Sequence, residues 1–235
     1  MRNYLSVLFF LSGTAFFLSC EKNNQEPISP KIEEISSEAV PGDNPDNNCG
    51  QFRTQTQGAW GAEPEGTNPG TYLHGNFAAA FPQGLTVGCS NRGFSVMYAS
   101  AADVTEFLPA GGTAAVLTDN YINPLSKSIK NVLVGHITAL ALSVGFDQYD
   151  PNFGPAAGNL GDLIIASGPF TGKTVNEFLL LANEVLGGCS AEFTPAQISE
   201  TAALINQNYD SGTVDNAFLT CPSTRIIVPE SPVQR

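Results

Sequence analysis

The feature that most constrains the fold is an apolar stripe in which Ile129, Val132, Leu133, Ile137, Leu140 and Val144 recur at helical spacing. An α-helix turns once every 3.6 residues, so these positions share a face that has to be buried against the rest of the chain. Asn123 and Pro124 offer an N-cap and a first-turn proline ahead of the stripe. The spacing predicts a long helix from there to about Gly145, at the centre of the core.

Further start signals surround it. Ser100, with Asp103 three residues on, predicts a short helix ending before Pro109. Thr174 and Glu177 form a T-x-x-E capping box ahead of Val175, Phe178, Leu179, Ala182 and Leu186, and Gly187 supplies the stop. Thr194-Pro195-Ala196-Gln197 repeats the signal, with Ile198, Ala202, Ile205 and Tyr209 as the buried face and Gly212 beyond the end. Residues 85–87 and 94–98 alternate around Gly88-Cys89-Ser90-Asn91-Arg92-Gly93, which predicts a short hairpin. The stretch 54–76 is dense in Gly and turn residues and reads as a structured loop, with Trp60, Tyr72 and Phe77 as packing anchors. The expected fold is mainly α, with α+β as the alternative: one domain of several capped helices, a short hairpin and a Gly-rich N-terminal loop region.

The first residues have the order of an export signal. Arg2 is followed by an apolar run from Tyr4 to Leu18, broken by Ser12, Gly13 and Thr14 and too short for a comfortable membrane span. It closes on Phe17-Leu18-Ser19-Cys20, which resembles the lipobox of bacterial lipoproteins, with Phe17 where Leu is usual. The resemblance implies a signal peptide over 1–19, cleavage before Cys20, and diacylglycerol plus an amide-linked acyl chain such as palmitate on that cysteine. Two or more chains anchor stably where one would not, so the membrane is an expected partner and the outer membrane of the cell envelope the expected location. Glu21-Lys22-Asn23 matches acidic surface-export signals only weakly, so the periplasmic and outward faces both stay open. From 20 to 48 the chain carries Pro27, Pro30, Pro41 and Pro45 among Asn, Ser and Glu. Such a stretch buries too little to offset its ordering entropy and is expected to be a disordered tether.

The folded part then spans 49–235, a length that suits one domain. It carries seven Lys/Arg against fifteen Asp/Glu, a formal charge of −8 with neutral histidines, which would repel a phosphate backbone; nucleic acid is not an expected partner. Its four cysteines, Cys49, Cys89, Cys189 and Cys221, form an even set, which in an oxidising compartment reads as two disulfides. Three pairings are possible. A Cys49 to Cys221 bridge would staple the ends and leave Cys89 to Cys189, while the sequential pairing stands beside it. No two lie at the C-x2-4-C spacing that would put two thiolates on one zinc ion.

Several stretches together resemble a domain without an established activity that recurs in secreted and surface proteins of the Bacteroidota. They are TQTQGAWG at 54–61, NFAAAFPQGLTVGC at 76–89, FLPAGG at 107–112, LALSVGFD at 140–147 and TVNEFLLLANEVLGGC at 174–189. The resemblance implies a cell-surface or secreted module and carries no functional residue with it.

Motifs with chemistry are sparse. Gly168-Pro-Phe-Thr-Gly172-Lys173-Thr174 follows an apolar run and precedes a helix, as a phosphate loop does, but has three residues between its glycines where four are needed. Asp147, Asp150, Asn152 and Asp162 lie in a Gly-rich loop whose oxygens suit a structural calcium, although the spacing is not that of an EF-hand. No other cofactor is expected. His74 and His136 are the only histidines, and neither G-x-S-x-G nor H-E-x-x-H occurs. Glu177 and Glu184 share a helix face at seven residues' separation and would suit a glycosidase only if the fold paired them. The reading is a noncatalytic binding or adhesion module whose ligand is a glycan or a protein. Its expected contact is the aromatic region of Trp60, Tyr72 and His74, since rigid aromatics on loops stack on sugars or fill protein pockets. The rivals are a surface hydrolase of glycans or peptides and a structural subunit of an envelope assembly.

Overall fold

A computed structural model describes residues 50–126, 128–156 and 158–222. The leader 1–19, Cys20, the tether 20–48 and Cys49 lie outside the described residues. The stripe from Val132 to Val144 belongs to α4 (Val132–Tyr149), with Ile129 buried just ahead of it, and α1 (Gln57–Trp60), α2 (Pro69–Ala80), α5 (Val175–Leu186) and α6 (Pro195–Asn208) all pack against this helix. Leu133, Val134, Ile137, Ala139, Leu140, Leu142 and Phe146 of α4 are fully buried. Those positions surround the axis, so α4 is apolar nearly all round, as a helix enclosed by others must be.

The expected start of α4 at Asn123-Pro124 is corrected to Asn131. Asn123 adopts a left-handed φ of 49°, which Asn tolerates. Its N–H donates to the Met97 carbonyl at 2.8 Å and its Oδ1 accepts from the Ala99 N–H at 2.9 Å, so it is committed to the neighbouring strand. Asn131 instead accepts from the N–H of Leu133 at 3.1 Å, and its amide also joins both backbone groups of Ala115. One side chain therefore caps the central helix and pins the preceding loop to it.

The other boundaries follow their caps. Ser100 caps α3 (Ala101–Phe107), and the complete capping boxes of Thr174 with Glu177 and Thr194 with Gln197 start α5 and α6. The hairpin is β1 (Leu85–Gly88) against β2 (Ser95–Tyr98), antiparallel, with Val87 opposite Val96. A two-residue strand, β3 (Tyr121–Ile122), extends it in parallel with β2. Farther on, β4 (Ile164–Ile165) pairs with β5 (Leu219–Thr220). The described part is mainly α with few short strands.

Cys89 and Cys189 form a disulfide with Cα atoms 6.4 Å apart, joining the hairpin turn to the end of α5. Gly93 and Gly187 make this approach possible: a Cβ on Gly93 would meet the Gly187 carbonyl, and one on Gly187 would meet the Cys89 backbone. Cys221 is disulfide-bonded as well.

The Gly-rich stretch departs from its expected loop. It holds α1, capped by Thr56, and the three-turn α2, capped by Asn68 with Pro69 in its first turn. Asn68 Oδ1 accepts from the N–H of Thr71 at 2.8 Å and of Glu65 at 3.2 Å, and its Nδ2 donates to the Glu63 carbonyl at 2.7 Å. The Asn-Pro start signal outweighs Gly70 and Gly75, which lie within the helix. Only 61–68 remains a turn-rich connection.

Candidate functional site

The first described residues run beside the end of α6. Thr54 bridges to Asp210: its N–H donates to the Tyr209 carbonyl at 3.0 Å, its carbonyl accepts from Ser211 at 2.9 Å, and its hydroxyl donates to the Asn206 carbonyl at 2.9 Å. This seam sets Arg53 and Gln55 next to Ser211. The start of α2 closes the opposite side with Thr67, Asn68, Pro69 and Tyr72, and Trp60 and Phe153 complete the wall of a cavity of about 180 Å³. Drug-sized ligands occupy pockets of roughly 300 to 1,000 Å³, so this one suits a single small group.

Aromatic rings form its floor. Trp60 stacks on Phe153 with centroids 6.0 Å apart, and Tyr72 packs on Phe146 and Phe153, each at 5.2 Å. Trp60 is 0% exposed and its Nε1 donates to the buried Ser143 hydroxyl at 3.4 Å. The expectation that Trp60 presents a face to ligand is therefore corrected: it belongs to the core and only backs the cavity. Tyr72 is half-buried and donates its hydroxyl to Asp150 Oδ2 at 2.8 Å. Burial, with that hydrogen bond second, pushes its phenol well above the ordinary value. His74 faces elsewhere, with Nε2 2.9 Å from the Thr105 hydroxyl, and does not line the cavity.

Much of the polar lining is committed. Gln55, 4% exposed, accepts through Oε1 from the Ser211 hydroxyl at 3.2 Å, while its Nε2 makes no hydrogen bond among the described residues. The buried Nε of Arg53 has no partner there either, and the guanidinium carbon lies 5.7 Å from the Phe153 centroid. Arg53, Gln55, Phe153 and Ser211 were invisible to motif reading, because they come from three separated stretches and no local spacing relates them.

The expected calcium ligands do not converge. Asp147 Oδ2 accepts from the Leu160 N–H at 2.7 Å, Asp150 Oδ1 from the Asn152 N–H at 2.9 Å, and Asp162 Oδ2 from the Asn159 amide at 3.0 Å. Burial raises the Asp147 carboxyl, whereas the Asn152 N–H, followed by the Tyr72 hydroxyl, holds Asp150 below the usual range. Among the described residues no three His, Cys, Asp or Glu side chains gather as a metal would require. Asp147, Asp150, Asn152 and Asp162 serve turns and tethers, which corrects the calcium expectation.

The other motifs resolve into structure. At the phosphate-like loop, Glu177 Oε2 accepts from the Thr174 N–H at 2.8 Å, so a carboxylate holds the helix start where a phosphate would sit. His136 Nδ1 lies 3.0 Å from both the carbonyl and the hydroxyl of Ser199. Because a carbonyl only accepts, Nδ1 carries the proton and has no lone pair with which to activate the hydroxyl. Burial lowers the pKa of this histidine, which joins α4 to α6. A second depression, of about 260 Å³, lies over the Cys89–Cys189 bridge beside Arg92 and Leu180. Its Asn183 is already spent on the Gly88 N–H at 2.7 Å and the Leu179 carbonyl at 2.8 Å.

No described helix is long and apolar enough to cross a membrane. Comparison with family models, with curated proteins and with solved structures finds no significant match to this chain.

Proposed function

We propose that this protein is a lipid-anchored envelope protein acting as a noncatalytic binding module, with the cavity between Arg53 and the start of α2 as its ligand seat. The observation that carries this reading is a pair of uncommitted donors, on Arg53 and Gln55, over a rigid aromatic floor. Of the two, the Arg53 Nε is buried without a partner, which costs free energy in the unliganded protein, and an acceptor that draws the guanidinium into a hydrogen bond recovers it. The envelope location rests on the apolar run ending at Ser19-Cys20.

The anchor is tested by Cys20→Ala, which is expected to move the protein from the membrane fraction to the soluble one and to abolish fatty-acid labelling. The seat is tested by arraying envelope and host glycans and proteins against the full chain and against Thr67→Phe, which fills the rim. Binding without turnover, lost in the variant while its melting stays near wild type, supports the reading. Binding that survives the filled rim, or turnover abolished by changing one acidic residue, overturns it.

A further inference from the structure

The cavity's hydrogen-bonding inventory narrows the ligand. Oε1 of Gln55 is taken by Ser211, Oδ1 of Asn68 by Thr71 and Glu65, and the Tyr72 hydroxyl proton by Asp150. What remains unused among the lining side chains is the Gln55 amide N–H2, the Thr67 hydroxyl and the guanidinium of Arg53, whose Nε is buried without a partner. Gln55 is nine-tenths buried and lines the cavity, so its free amide N–H2 is held in place in the wall beside the Arg53 guanidinium. The N-terminal end of α2, a twelve-residue helix, adds its partial positive charge at Asn68 and Pro69. In a chain with formal charge −12, this is a local site for a negative group.

From this we infer that the cavity binds the carboxylate of an acidic sugar, with Arg53 as its ion partner and Gln55 as a second donor. The inference rests on the cavity being the ligand seat. A guanidinium presents parallel N–H donors that match the two oxygens of a planar carboxylate. Arg53 already helps hold the Asp150 carboxylate ionised, so its remaining charge suits a monoanionic carboxylate better than a dianionic phosphate. A peptide terminus would bring amide N–H groups to a wall whose Gln55 and Asn68 oxygens are already bonded, leaving only the Thr67 and Ser211 hydroxyls to accept. Sugar hydroxyls accept as readily as they donate, so a uronic acid leaves no donor unmatched there.

Trp60, the chain's only tryptophan, backs the cavity and supplies the readout. The full chain in nonionic detergent is titrated at constant ionic strength with D-glucuronate, D-glucose, N-acetylalanine and inorganic phosphate, following Trp60 emission and calorimetric heat. The expected result is saturable binding of glucuronate at least tenfold tighter than of the other three. Arg53→Gln is expected to weaken it at least tenfold. Gln55→Glu, which offers Arg53 a carboxylate from the protein itself, is expected to do the same, and decides the matter if Arg53→Gln does not fold. Glucose, N-acetylalanine or phosphate binding as tightly as glucuronate, undiminished glucuronate binding in a folded Arg53→Gln or Gln55→Glu variant, or no saturable binding by either readout overturns the inference. Array binding lost in Thr67→Phe but kept in Arg53→Gln would leave the ligand seat standing and remove the carboxylate, whereas binding kept in Thr67→Phe removes both.

Discussion

Helices α5 and α6 and the segment from Phe52 to Phe81 pack against the same central helix but are held differently. Each of the two helices begins with a reciprocal capping box closed within four residues, and the Cys89–Cys189 bridge holds the end of α5. The segment depends on partners far along the chain: Thr54 on Asn206 and Tyr209, the Gln55 N–H and Trp60 on Ser143, and Tyr72 on Asp150. A helix that satisfies its own terminus can lose a cap at a small local cost. A segment stitched to distant residues shares its energy with the core, so damage there is felt by the whole domain.

The largest expected effect comes from removing the aromatic floor. Trp60→Ala should destabilise the domain by about 3–5 kcal/mol in a urea titration, because a fully buried ring leaves a cavity that its neighbours fill only in part. A loss below 1 kcal/mol would break the contrast by showing that the segment is peripheral. Replacing both Cys89 and Cys189 by Ala should cost about 2–4 kcal/mol, since the bridge closes a long loop of the unfolded chain. Melting of that variant with and without reductant checks it, and only the wild type should respond to reductant at this bridge.

A paired comparison sharpens the point. Thr54→Val removes a buried hydroxyl that donates to the Asn206 carbonyl and accepts from Tyr209, and should cost about 1–3 kcal/mol. Thr174→Ala removes one solvent-facing cap and should cost about 1 kcal/mol. Equal losses would erase the distinction between distant and local support.

The smallest effect is a pH dependence. Burial lowers the His136 pKa in the folded protein from its ordinary 6.5, so the unfolded chain binds a proton first. Stability is therefore full above pH 6.5 and falls as the pH drops from there toward the folded value. His136→Gln should flatten the slope of melting temperature against pH in this window, while an unchanged slope would assign it to other groups.

The legible elements were those with local causes. The starts of α3, α5 and α6 lie within three residues of Ser100, Thr174 and Thr194, and the hairpin register follows the alternation around Gly88 to Gly93. The start of α4 was misplaced because Asn123-Pro124 carries the same local signal as a true cap. What separates it from Asn131 is a strand contact to Met97, a partner that spacing does not reveal. Asn68-Pro69 carried a valid signal that the surrounding glycines masked.

A mainly helical domain, the caps of α3, α5 and α6 and the central apolar helix can be read from the residue order alone, since each follows from nearest-neighbour hydrogen bonding or from periodic burial. Folding in three dimensions is what turns Trp60 inward, pairs Cys89 with Cys189, spends the oxygens of the acidic loop on turns and tethers, and brings Arg53 and Gln55 to Tyr72 and Ser211 around one cavity. Those outcomes depend on which distant side chains fill each other's hydrogen bonds, and that pairing exists only once the chain has closed on itself.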